Sequence, residues 1–233
     1  MTKTGCIIIT GGDSGLGEEL CKQFEETGET IFSVDKKSSN CTQNSTQLIK
    51  TIAKKYDIRL LINNASVEQL DWIENITNKK ATDCVTTNIL GYFYMARDCV
   101  KYSMAKSKHG MIINVSSIAG KVPMRASCLY NVTKAAQIMM TKQMGRELSR
   151  HGILTVGVNV GKIKDTEMTK RVEKKILKVR GWTKRYADKY QYAYIPAGRP
   201  TTKKDVAKFI FNLYKNKDYY LLGSVIDFAG GHQ

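Results

Sequence analysis

Six short, unbroken runs of aliphatic and β-branched residues, each set apart by a segment of helical period, constrain this chain more than any single motif. The runs are CIIIT (6–10), TIFSV (30–34), RLLIN (59–63), MIINV (111–115), LTVGV (154–158) and SVIDF (224–228). Between them, apolar residues recur at helical spacing over 15–27, 46–54, about 82–105, about 130–150, about 168–190 and 203–215. A strand exposed on one face alternates apolar with polar residues, whereas a strand covered on both faces reads as a continuous apolar run. The pattern therefore predicts an α/β fold with one doubly wound parallel sheet. No internal repeat or linker interrupts it, so residues 1–233 read as a single domain.

Composition narrows the function classes. Apolar and charged fractions of 42% and 25% suit a globular chain, and no apolar run approaches the ~18 residues of a membrane span. The start, MTKTGCIIITGG, passes straight into a strand without a charged-then-apolar leader, so the cytoplasm is the expected location. The six cysteines form no CxxC pair and the three histidines are scattered, which predicts reduced thiols and no metal. The net charge of +16 concentrates at Lys36–Lys37 and in KRVEKKILKVRGWTKR (170–185). A solvated lysine-rich face is the first reading of such runs, and a polyanion site the second.

Three strand ends carry chemistry. After the first strand comes Thr10-Gly11-Gly12-Asp13-Ser14-Gly15-Leu16-Gly17, opening a helix. Glycines there let the backbone turn sharply and approach a pyrophosphate held at the positive helix end, so Gly11, Asp13, Ser14, Gly15, Leu16 and Gly17 are candidate dinucleotide contacts. Asp35 ends the second strand, 18 residues after Gly17, where a carboxylate can accept from both ribose hydroxyls and repel a 2′-phosphate. That favours NAD, while the adjacent Lys36 and Lys37 keep NADP open. Asn63-Asn64-Ala65-Ser66 follows the third strand at the same sheet edge; Asn64 and Ala65 are candidates to line a crevice, with an Asx turn as the plain alternative for Asn64.

Tyr130 and Lys134 stand at i and i+4, on one helical face. An ammonium beside a phenol is expected to stabilise the phenolate and bring proton exchange toward neutrality. Ser117, 13 residues upstream at the end of the fourth run, can hold a carbonyl or alkoxide oxygen. Its neighbour Ser116 points to the opposite side of the strand and is expected to pack.

Taken together these motifs resemble the short-chain dehydrogenase/reductase family. TGGDSGLG is similar to its TGxxxGxG, NNAS to NNAG, and NILGYFYMAR, INVSSIAG and YNVTK to its helix asparagine, serine and tyrosine–lysine segments; PAGRPTTKKDVAKFI and LLGSVIDFAGG resemble its closing segments. The resemblance spans nearly the whole chain and implies a Rossmann architecture and an NAD(P)-dependent oxidoreductase that exchanges a hydride with a secondary alcohol or ketone. It implies Tyr130 as general acid/base, Lys134 as its tuning residue and ribose contact, Ser117 as the oxygen-orienting group, and Asn88 as the holder of a water in a proton relay behind Lys134. Gly161, Ile163 and Thr166 would meet the carboxamide end of the cofactor. A homodimer or homotetramer through helices 82–105 and 130–150 is implied as well.

The resemblance is not complete. Asp35 to Asn63 spans only 28 residues, so the family's third strand is expected to be shortened or lost, and its adenine-contacting aspartate has no counterpart. Ser66 replaces a glycine, and Val160 stands where a proline is usual. The segment of about 165–195 reads as a substrate loop, with Trp182, Tyr186, Tyr190, Tyr192 and Tyr194 as an aromatic lid and Met124 and Arg125 at its border; Cys128 reads first as a packed thiol and second as a border residue. Its cations Lys170, Lys174, Lys175, Lys178, Arg180 and Arg185 raise an anionic or carrier-bound substrate, such as a 3-oxoacyl-carrier-protein or acyl-CoA ester reduced with NADPH. A dinucleotide-sensing regulator with a basic face for nucleic acid is the non-enzyme alternative; the tuned tyrosine argues against it and against a purely structural subunit.

Overall fold

A computed structural model describes residues 3–35, 45–164 and 166–232. Six strands, β1 (Thr4–Thr10), β2 (Thr30–Val34), β3 (Tyr56–Asn63), β4 (Gly110–Ser117), β5 (Ile153–Val160) and β6 (Val225–Phe228), form one sheet in the order β2-β1-β3-β4-β5-β6. Every pairing is parallel. Among the described residues no strand lies beyond β2, in keeping with the expected loss of a third strand from that edge. Most of the stretch KKSSNCTQNS, with Lys36, Lys37 and Cys41, falls outside the described residues.

The sheet is covered on both faces, as its unbroken apolar strands require. Ile7 and Ile9 of β1 pack with Leu16, Leu20 and Phe24 of α1 (Gly15–Phe24) and with Val206 and Ile210 of α9 (Lys203–Asn216). Cys6 and Ile8, pointing the other way, pack with Ile49 and Ile52 of α2 (Ser45–Lys55) and Met95 and Cys99 of α4 (Gly91–Cys99). One strand thus supplies both cores by its period of two.

Two helices differ from the sequence expectation. The segment expected at 82–105 runs from α3 (Asn78–Val85) through α4 to α5 (Ala105–Ser107), widened by π-helical turns at Thr86–Leu90 and Val100–Met104. The segment expected at 168–190 is two helices, α7 (Glu167–Arg180) and α8 (Lys184–Ala193). Gly181 ends the first with φ of 65°, and Thr183 caps the second by accepting from the Tyr186 amide. The long helix α6 (Cys128–Leu148) crosses behind β4 and β5. Among the described residues no helix is long and apolar enough to cross a membrane.

Candidate active site

The carboxyl ends of β1 to β5 meet one cavity of about 780 Å³. It lies where the strand order reverses between β1 and β3, the point at which an open parallel sheet parts its loops. Gly11 turns the chain out of β1 with φ of 70°, a left-handed conformation that a side chain strains. Gly17 is needed for close approach: a methyl group there would overlap the Gly11 carbonyl. Such a tight turn at a helix N-terminus leaves amides free to meet phosphate oxygens, so the residues fit a dinucleotide.

Asn64 braces this turn. Its Nδ2 donates to the Thr10 carbonyl at 3.0 Å, while the amides of Asn64 and Ala65 donate to Thr10 Oγ1 at 2.9 and 3.0 Å. The side-chain amide is thus committed to the loop as well as bordering the cavity. Asp35 borders the cavity from the end of β2. Ser14, Gly15, Leu16, Gly161, Ile163 and Thr166 also line it. Thr166 is the N-cap of α7, its hydroxyl accepting from the Thr169 amide at 3.1 Å. Asp13 and Gly17 do not line it: Asp13 accepts from Ser33 Oγ at 2.9 Å, and Gly17 acts through packing.

Ser117, Tyr130 and Lys134 converge on the same cavity. Ser117 leaves β4 opposite Val160 of β5, and its Oγ accepts from the Ala119 amide at 3.2 Å. Ser116 is buried and donates to the Lys134 carbonyl at 3.1 Å, and it also borders the cavity beside Ser117. Lys134 Nζ stands 5.5 Å from the centre of the Tyr130 ring. Asn88 does not line the cavity. Fully buried in the π-helical turn, it accepts from the Val67 amide at 2.9 Å and Ser66 Oγ at 3.1 Å, and donates to the Val67 carbonyl and Thr133 Oγ1, both at 3.0 Å.

The proton affinities depart from the expected direction. Burial pushes the Tyr130 phenol up to about 12, against the opposing pull of hydrogen bonds with Ser117 and Ser66. Burial pushes Lys134 down to about 7, with Cys84 opposing weakly. Burial is the largest influence on each group. Both groups lose hydration, which favours the neutral form of each, and Lys134 Nζ donates instead to Gln137 Oε1 at 3.0 Å.

Helix α7 covers the cavity. Arg171 and Lys175 reach across to Glu68 at 2.7 and 3.0 Å, and Lys162 pairs with Glu173 at 2.8 Å. Burial alone would raise the Glu68 carboxyl, but hydrogen bonds from Arg171 and Lys175 outweigh it and hold the group below its ordinary value. Ile176 and Ala187 pack on Leu70 and Ala126 in a small separate core. Of the five lid aromatics only Tyr190 and Tyr194 line the cavity, as do Met124 and Arg125; Trp182 instead packs against Tyr186 and Tyr190. Ser66, Glu68 and Gln137 were not among the expected site residues. Only Ser66 carried a signal, as the residue replacing a glycine.

Residues 42–177 match the family described as short chain dehydrogenase, and the chain belongs to that family. Its members are NAD(P)-dependent oxidoreductases acting on alcohols and ketones, and this protein is such an oxidoreductase. A 3-oxoacyl-[acyl-carrier-protein] reductase of Buchnera aphidicola is 26% identical over 96% of this chain and 95% of its own length. A sorbitol-6-phosphate 2-dehydrogenase of Klebsiella pneumoniae is 28% identical over 98% of this chain and 96% of its own. Among solved structures, a variant actinorhodin polyketide ketoreductase with NADPH superposes with a TM-score of 0.85 at 20% identity, over 99% of this chain and 98% of its own. Among the described residues no group of three or more metal-ligating side chains occurs.

Proposed function

We propose that the protein reduces a small ketone to a secondary alcohol, with Tyr130 donating the proton and Ser117 orienting the reacting oxygen. The observation that carries this reading is the convergence of Ser117, Tyr130 and Lys134 on the cavity that the glycine turn and Asp35 also border. NAD(P) supplies the hydride when bound. The amides of the Gly11–Gly15 turn would receive the pyrophosphate, and Asp35 the adenine-side ribose, which favours NAD. Gly161, Ile163 and Thr166 would meet the carboxamide end. A phenol pushed up to about 12 is protonated at neutral pH, so it is set to act as an acid toward a developing alkoxide.

The substrate is an anionic carbonyl compound in this reading. Arg125 and Arg180 both line the cavity, and among the described residues neither is ion-paired. Arg180 Nη2 donates to the Arg125 carbonyl, while its buried Nε has no partner among the described residues. Burial lowers the Arg180 guanidinium, with Tyr190 opposing and the Arg125 charge adding a smaller push down, so a carboxylate or phosphate would offset both burial and repulsion. Exposed Leu90 and Phe93 on one helix and Val132 and Met139 on α6 support assembly of like subunits through these helices. The cytoplasm is the proposed location.

The test is a turnover screen with NADH and NADPH against neutral ketones, keto acids, sugar phosphates and 3-oxoacyl thioesters. Anionic ketones are expected to react best, with NADH preferred, and Arg180→Gln to raise KM for them alone. Tyr130→Phe is expected to cut kcat by about 10²–10⁴ while dinucleotide still binds. Unchanged rates in Tyr130→Phe defeat the proton role, and NADPH as sole donor for an acyl carrier moves the assignment to 3-oxoacyl reduction.

A further inference from the structure

The back of the site is closed by an amide. Gln137 follows Lys134 by three residues on α6 and is fully buried. Its Oε1 accepts from Lys134 Nζ at 3.0 Å, and its Nε2 donates to the main-chain carbonyl of Asn88 at 2.7 Å. The amide cannot be turned over: the reverse orientation would set NH₂ against an ammonium and carbonyl against carbonyl. Thr141 adds a further constraint by donating to the Gln137 main-chain carbonyl at 2.8 Å.

We propose that Gln137 is the positioning residue for Lys134, its oxygen fixing Nζ beside Tyr130 and its NH₂ anchoring that oxygen to the π-helical turn through Asn88. This rests on the proton role proposed for Tyr130. Asn88 thereby reaches Lys134 through a side-chain amide, where the family resemblance places a water. An amide has no proton to release near neutrality, so the chain Lys134–Gln137–Asn88 orients Nζ without conducting protons.

Few other groups act on Lys134. Tyr130 faces it from α6 and Cys84 from α3, and among the described residues no carboxylate pairs with it. Glu68 acts on Tyr130 from the cavity mouth. The Gln137 oxygen is therefore the main hydrogen-bond acceptor that favours charged Lys134 in a desolvated position. Removing it should favour the neutral amine, and replacing it by a carboxylate should do the reverse.

The test titrates Lys134 by its ¹³Cε resonance in the chain without added ligand, the signal being assigned by its loss in Lys134→Met. The midpoint is expected to fall by about one pH unit in Gln137→Leu, a tenfold change in the protonation constant, and to rise by at least as much in Gln137→Glu. The alkaline limb of the kcat profile for ketone reduction should move the same way, and thermal melting identifies any variant that fails to fold. Unmoved midpoints in both variants overturn the proposal even if kcat falls, since lost packing slows a reaction without retitrating Lys134. Wild-type rates in Tyr130→Phe would instead defeat the reading beneath it.

Discussion

The floor of the cavity and the lid above it are held by different physics. In the floor, buried side chains hydrogen-bond in series: Asn63 Nδ2 donates to Asn114 Oδ1 at 3.0 Å, Asn114 Nδ2 to Thr141 Oγ1 at 3.0 Å, and Thr141 to the Gln137 carbonyl. Each buried polar group costs about 1–3 kcal/mol if its partner is removed, so the set is either whole or disrupted. The lid rests on half-exposed cations paired with Glu68, each pair contributing about 0.2–1 kcal/mol, and on one small apolar cluster. A lid so held can part from its base while the floor keeps the positions that the proposed proton transfer needs.

The largest effect that separates the two regions is expected at Gly17. In Gly17→Ala the new methyl meets the Gly11 backbone, which has no rotamer to yield, so the glycine turn itself must move. Overpacking of this kind costs about 1–3 kcal/mol. Melting should fall by about 2–4 °C for each kcal/mol, and dinucleotide affinity, read by fluorescence titration, by about tenfold or more. A comparable change in the lid should leave cofactor affinity intact. Wild-type affinity in Gly17→Ala would show that the turn is not the pyrophosphate seat.

A second effect comes from Lys134. Its proton affinity is pushed from 10.5 down to about 7 on folding, so below pH 7 the folded chain carries a buried ammonium at a cost. The unfolded chain binds the extra proton between pH 7 and 10.5, so wild-type stability rises with pH through that window. The upper bound of the cost is on the order of 5 kcal/mol. Lys134→Met leaves Gln137 Oε1 without a donor, costing about 1–3 kcal/mol, so at low pH the relief of the buried charge outweighs the lost hydrogen bond. The variant should therefore melt above wild type at pH 6, with the gap shrinking or reversing toward pH 10. A pH-independent gap would place Lys134 outside the desolvated floor.

These two regions were unequally legible in the amino-acid sequence. The glycine turn, Asp35 and the Tyr130–Lys134 pair could be found because each sits at a strand end or within one helical turn, where period and spacing report position. Gln137 could not, since its meaning depends on Asn88, 49 residues earlier. Asn88 was found through the family resemblance, but its bond with Ser66, 22 residues away, was not. Spacing reports that Lys134 lies near Tyr130 but not that both are desolvated, and burial pushes the phenol up and the amine down. In the lid, the cations and aromatics were visible as composition. Their partners were not, because Glu68 reaches Arg171 and Lys175 over 103 and 107 residues.

The smallest effect tests the lid itself. Glu68 is largely buried, with 11% of its side chain exposed, whereas Arg171 and Lys175 are about half exposed. In Glu68→Gln the two cations can turn to solvent, so the loss is confined to two partly screened pairs, about 1 kcal/mol in sum. KM for the carbonyl substrate should rise about two- to fivefold with kcat within about twofold, and added salt should shrink the difference. The carboxyl sits below its ordinary value when folded, so the pairs are intact above the unfolded value of 4.5 and are lost as pH falls through the lower folded one. Acidification should thus raise the wild-type KM toward that of Glu68→Gln. A kcat loss as large as that of Tyr130→Phe would instead place Glu68 in the floor and erase the distinction between the two regions.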